Sequence, residues 1–150
     1  MDPTVEMAAL TGADCYRLLA GGTVGRLGLI VDGYPLVIPV NYALDRDVVC
    51  VRTHPGSLVA GADHANVSFE VDELHPADRT GWSVLIRGLA ELVTPAHDPA
   101  LSERTRGAGA MPWAPGDKSS SLRIIPHGIS GRRIQRDEES GWRLGTAAYM

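Results

Sequence analysis

Residues 24–42, VGRLGLIVDGYPLVIPVNY, and residues 48–58, VVCVRTHPGSL, decide the fold. Val24–Val31 has the apolar, β-branched character of a strand. Asp32-Gly33 is a two-residue hairpin signal, because a type I′ turn needs positive φ at both central positions. Residues 35–42 return as the second strand. Pro35 and Pro39 cannot donate to a ladder, which predicts an edge strand or a locally irregular one. Asp45-Arg46-Asp47 then turns the chain into a third strand, Val48–Thr53. Pro55-Gly56 breaks that strand, and residues 57–63 are a short helix candidate. A strand, a Gly-containing turn and a helix start in this order can aim backbone N–H groups at a phosphate. The two segments therefore point to a nucleotide-like cofactor held on a barrel wall.

The flanking sequence fits the same picture. Residues 10–20 form an amphipathic helix pattern, with Thr11 as cap and Asp14 at capping-box spacing. Gly21-Gly22 ends it, and Leu18 and Leu19 face the body of the domain. NVSFEV at 66–71 alternates as a fourth strand, and 72–80 reads as a polar loop containing Pro76. Residues 81–93 are long and β-rich, with Gly88 predicting a bend or bulge. Residues 99–106 read as a helix, and 107–120 as a Gly/Pro/Ser-rich loop holding Trp113. Residues 121–125 and 129–134 read as one interrupted final strand. Six short strands with few helices predict a mainly β fold, a small six-stranded antiparallel barrel. The domain is expected to span 1–135, followed by a disordered tail at 136–150.

Bulk composition narrows the function. The chain has 150 residues, 44% of them hydrophobic, as expected for one globular domain. No apolar run approaches the roughly 18 residues of a membrane span. MDPTVEMAAL lacks the basic n-region and apolar stretch of a signal peptide. A cytoplasmic location and no membrane partner are the expectation. A net charge of −4 disfavours a nucleic-acid partner. Lys118 is the sole lysine among 14 basic residues. Genomic base composition explains that imbalance, and it also means that anion contacts fall to Arg or to backbone N–H groups. Cys15 and Cys50 sit in apolar patterns without ligand spacing, which predicts buried free thiols.

The ordered set Val24-Gly25-Arg26-Leu27, Pro39-Val40-Asn41-Tyr42, Arg52-Thr53 with Pro55-Gly56, Thr80-Gly81-Trp82-Ser83-Val84 and Gly131-Arg132-Arg133-Ile134 carries a resemblance. Over residues 8–135 the chain resembles the pyridoxamine 5′-phosphate oxidase-like, flavin-binding split β-barrel family, in its short actinobacterial branch. The resemblance implies a homodimer with flavin sites at the dimer interface. It places FMN, or alternatively the deazaflavin F420, against Pro39, Val40 and Asn41. It assigns the phosphate to Arg52, Thr53, Ser57 and Leu58, where guanidinium, hydroxyl and N–H donors suit an anion. Trp82 and Ser83 match positions that approach the cofactor, and Trp113 is placed to cover a ring from the partner subunit. The turn Gly56-Ser57-Leu58-Val59 departs from the family in having no basic residue after the Gly. The implied function is a flavin-dependent oxidoreductase acting on a small molecule. The alternatives are a flavin-binding, storage or sensing protein without turnover, and a structural dimer whose site has decayed.

Other constellations are weaker. His54 follows the phosphate strand, and histidine as a residue type suits acid–base chemistry near neutral pH, which makes it the catalytic candidate, although a turn histidine is equally natural there. His54, His64 and His75 match no metal spacing, and Asp72, Glu73 and His75 read as a polar loop, so no metal is expected. Ser83 lacks a nucleophile elbow, and there is no P-loop or dinucleotide fingerprint. Arg26 reads as an ion-pair partner. Arg132, Arg133 and Arg136, followed at once by three acidic residues, read as a solvated face.

Overall fold

The computed structural model describes residues 5–136. The chain runs β1 (Val5–Ala9), α1 (Gly12–Ala20), β2 (Val24–Val31), β3 (Tyr34–Asn41), β4 (Ala43–Asp45) and β5 (Val48–Thr53). A 3-10 turn (Ala60–Ala62), β6 (Asn66–His75), β7 (Thr80–Val93), α2 (Pro99–Gly107) and β8 (Ser120–Arg136) follow. The hairpin forms where the Asp-Gly pair demands it. Asp32 and Gly33 have φ of 52° and 81°, and β2 and β3 pair from Val31↔Tyr34 to Val24↔Asn41. β3, with its two prolines, is the edge of the sheet.

The sheet is antiparallel throughout, in the order β3-β2-β6-β7-β8-β5-β4, with β1 added alongside β8. Its two ends meet because β3 runs through Tyr42 into β4. The chain leaves β2 at that residue and pairs with β5 instead. β4 covers only the first half of β5, Val48 to Cys50. The remaining edge, Val51 to Thr53, faces β3 with no ladder between them. That opening is the split of a split β-barrel.

Inward positions alternate along the strands and fill the barrel with Leu27, Val49, Val51, Phe69, Ile86, Leu122 and Ile124, each at most 2% exposed. α1 closes one end. Thr11 accepts from Asp14 N–H at 3.1 Å, and Cys15 and Leu19 are fully buried. Tyr42 is buried at the corner. Its hydroxyl donates to Leu19 O at 2.5 Å, and its ring meets Phe69 edge-on at 5.0 Å. Burial pushes the Tyr42 hydroxyl up to about 12, so it stays protonated as a donor. Gly22 and Gly25 make room for these rings. A Cβ at Gly22 would collide with the Tyr42 hydroxyl, and one at Gly25 with the Phe69 ring.

The mainly β barrel agrees with the sequence reading, with two short strands added, β1 and β4. Of the polar loop expected at 72–80, only 76–79 is a turn. β6 continues to His75 and β7 begins at Thr80, because ladder hydrogen bonds tolerate polar side chains on a solvated face. Only Ala60–Ala62 of the 57–63 helix candidate coils. β8 is one strand of 17 residues. Its pairing passes from Arg87↔Gly128 to Gly88↔Pro126, so His127 is the extra residue of a bulge, at the Gly88 position where a bend or bulge was expected. A Cβ on Gly88 would strike Ile125 O. Arg136 ends β8, and the rest of the expected tail lies outside the described residues. No helix among the described residues is long and apolar enough to cross a membrane. Cys15 and Cys50 are buried and unpaired, as expected.

Two charge clusters flank the barrel. Under α2, Arg123 Nη1 donates to Asp45 Oδ2 and to Thr105 Oγ1, both at 2.9 Å, tying the helix to β4 and β8. On the outward face of β2 and β6, Arg26 Nη1 bonds Glu70 Oε1 at 3.2 Å and Asp72 Oδ2 at 3.1 Å, the ion pairing read for Arg26. Desolvation, then the Asp72 carboxylate, pushes Glu70 from 4.5 up to about 7 against the pull of Arg26. The hydrogen bond from Arg123, then that from Arg104, holds Asp45 below its ordinary value against partial desolvation.

Gly25→Ala is expected to cost about 1–3 kcal/mol in urea unfolding, the usual penalty of overpacking. The two carboxyls carry opposite pH signatures. Glu70, with a raised folded-state value, penalises the fold as pH climbs through 4.5 to about 7. Asp45, with a lowered one, supports the fold above its unfolded value and loses that support as pH falls through the folded one. In thermal scans Glu70→Gln should raise Tm at about pH 8 and match the wild type at about pH 4. Asp45→Asn should lower Tm near neutrality and converge with the wild type in acid. The opposite ordering would refute these assignments.

Candidate functional site

The split gathers Pro39, Val40, Asn41 and Arg52 of the residues that the sequence singled out. Its small cavity, about 120 Å³, is lined by Pro39, Val40 and Asn41 of β3, Val51 and Arg52 of β5, and Pro112, Ala114 and Lys118 of the loop before β8. Two edge strands without a mutual ladder set this geometry, since each turns one side of its backbone to the gap. Asn41 Nδ2 donates to Thr23 O at 3.4 Å, and Asn41 Oδ1 accepts from Trp113 N–H at 2.8 Å. Arg52 donates from Nε and Nη2 to Lys118 O at 3.2 and 3.0 Å.

Beyond Arg52, the chain makes the turn expected at Pro55-Gly56. Ser57 N–H donates to His54 O at 3.3 Å, and Gly56 has φ of 84°, a conformation that glycine takes without strain. Thr53 and Ser57 hydroxyls bond each other at 2.6 Å, and Ser57 Oγ accepts from Ala60 N–H at 2.9 Å. Leu58 is exposed. His54 is exposed, with Nδ1 3.0 Å from Pro55 O and no carboxylate partner.

Charge marks the cavity. Among the described residues neither Arg52 nor Lys118 has an acidic partner. Two cations on one hollow without a counter-charge suit an anionic ligand. Lys118 was not singled out from sequence. Its one signal was being the sole lysine, and its loop lies far along the chain from Gly56.

Trp82 and Ser83 are not at this split within one chain. Trp82 pairs with Glu73 and Arg133 in the sheet and packs at the margin of the core, where it lines a hollow with Arg17, Thr23 and Asp72. Ser83 pairs with Asp72 and Arg132. The Trp113 backbone is fixed to the split, while its side chain is 75% exposed. Among the described residues no three His, Cys, Asp or Glu side chains converge as metal ligands would.

The donor set suits a phosphate-bearing ligand, but the space does not suit a flavin ring. Sites for such ligands enclose roughly 300–1,000 Å³, well above this cavity. Within one chain, and with residues 108–119 lying where they do, the cavity admits the phosphate end of such a ligand and leaves its ring outside.

A family model described as pyridoxamine 5′-phosphate oxidase matches residues 11–133, from the cap of α1 into β8. An uncharacterized protein of Mycobacterium tuberculosis is 30% identical over 141 residues, 90% of each chain. Among solved structures, an FAD-binding protein of Mycobacterium smegmatis is 32% identical, covers 85% of this chain and 100% of its own, and superposes with a TM-score of 0.72. An FAD-binding protein of Mesorhizobium loti is 26% identical, covers 89% of this chain and 100% of its own, with a TM-score of 0.65. The family match spans the hairpin, the Tyr42 corner and the Pro-Gly turn that border the split. The chain therefore belongs to the pyridoxamine 5′-phosphate oxidase family.

Proposed function

We propose that this protein binds a flavin across the split, phosphate end on Arg52 and Lys118 and ring side on Pro39 to Asn41, and uses it as an oxidoreductase on a small molecule. The observation that carries this reading is the pair of cations without acidic partners on one cavity, beside a proline-containing edge whose backbone is unpaired. The two FAD-binding structures to which the chain is similar favour FAD, and FMN and F420 remain the comparators. A dinucleotide flavin carries two phosphates, which suits a site that offers two cations. When bound, the flavin supplies the electron chemistry and the protein supplies position and charge.

A homodimer is part of the proposal. The outward side of the β2–β3 hairpin exposes Ile30 at 65% and Val37 at 69%, an apolar surface that a second copy would cover. Trp82 and Ser83, remote from the split of their own chain, would then be available to the partner's site. Binding without turnover is the second reading. It is favoured by His54, which stands exposed on its turn and does not line the cavity.

Titration of the purified protein with FAD, FMN and F420, followed by absorbance and fluorescence, tests the reading. FAD should bind with a perturbed spectrum. Arg52→Ala should weaken it about tenfold or more, the worth of a charge-assisted hydrogen bond. A spectrum unchanged by all three ligands, or affinity indifferent to Arg52, would reject the site. Light scattering after size exclusion should give twice the chain mass, and a monomer would remove the dimer.

A further inference from the structure

Residues 108–119, between α2 and β8, lie along the split and are fastened at two points. Trp113 N–H is held by Asn41 on β3, and Lys118 O is held by Arg52 on β5. The fasteners thus reach one strand on each side of the opening. The amide of Asn41 is oriented by its other bond, from Nδ2 to Thr23 O. Turned over, it would set donor against donor and acceptor against acceptor. Ala110 is buried at the start of the segment, but Met111 and Trp113 are 72% and 75% exposed. A segment that buries so little and hangs on a few hydrogen bonds opens locally at low cost.

The fastening groups are the ones assigned to the ligand. We infer that residues 108–119 form a displaceable strap that closes the split by occupying Asn41 and Arg52, and that an anionic ligand competes with it for those groups. The inference rests on the reading of the split as the ligand site. The competition at Arg52 is unequal, because a phosphate oxygen makes a charge-assisted pair whereas the Lys118 carbonyl is neutral. Lys118 rides on the strap beside the carbonyl that Arg52 grips, so an anion that draws Arg52 away meets a second cation there. The strap also accounts for a cavity of about 120 Å³ in a family whose members include ring binders.

Hydrogen–deuterium exchange of the full chain, read by mass spectrometry over 108–119, tests this. Asn41→Ala should speed exchange at the Trp113 amide about tenfold, the worth of one hydrogen bond. Inorganic pyrophosphate, which has the charge without the ring, should speed exchange at 114–119 in the wild type and have no effect in Arg52→Ala. FAD should loosen both ends. Unchanged exchange with pyrophosphate in the wild type, which needs no variant to fold, would overturn the strap. Slower exchange on adding pyrophosphate or FAD would also overturn it, since the loop would then be closing on the ligand. Failure of the flavin reading looks different: pyrophosphate loosens the strap while neither FAD nor FMN binds.

Discussion

The barrel depends on one corner. At Tyr42 a single run of chain stops pairing with β2 and starts pairing with β5, and the sheet can curl only if that change of partner is held in place. The hold is a buried hydroxyl on Leu19 O and an edge-on contact with Phe69. A buried phenol without a partner would be costly, so the end of α1 has to sit where its carbonyl can accept. Helix, corner and hairpin are thereby locked to one another. Gly22 and Gly25 serve the same constraint, by leaving the rings the volume that any side chain would take.

The functional region follows from how the corner closes the sheet. Because β4 is short, β5 is covered along half its length and the rest faces β3 across a gap. The gap has two unpaired backbone edges and two cations, and a loop stapled over it. Edge strands invite pairing with another chain, and here a loop and two prolines deny it. What the fold leaves at the split is a positively charged seam at which Arg52 and the Asn41 amide are bonded to the loop itself. That arrangement avoids unpaired buried donors, and it leaves a stronger acceptor able to replace a weaker one.

Much of this was legible in the chain. Asp32-Gly33 specifies its turn through positive φ, and Pro35 and Pro39 mark an edge because proline has no N–H to give. Pro55-Gly56 forms its turn for equally local reasons, and Gly88 marks the bulge against β8, where a Cβ would strike the Ile125 carbonyl. β1 and β4 were not legible. They are short segments that extend only because β8 and β5 offer them hydrogen bonds, and no local pattern encodes that offer. The 72–80 segment misled for a related reason: polar residues on the solvated face of a hairpin look like a loop when the ladder beneath them is invisible.

The sequence by itself therefore determined the hairpins, the capped first helix, the edge character of β3 and the ordered residues that mark the family, because each rests on φ/ψ preference, proline chemistry or alternation within a few residues. Tertiary structure alone decided which of the candidate residues meet. Lys118 lies 66 residues from Arg52 along the chain, and it meets Arg52 and Asn41 only because the sheet closes at Tyr42 and the loop crosses the split. Trp82 and Ser83, as prominent in the sequence as Arg52, are carried elsewhere by the register of β7 against β6 and β8. Register is set by the summed packing of the whole barrel, and no single stretch of sequence contains it.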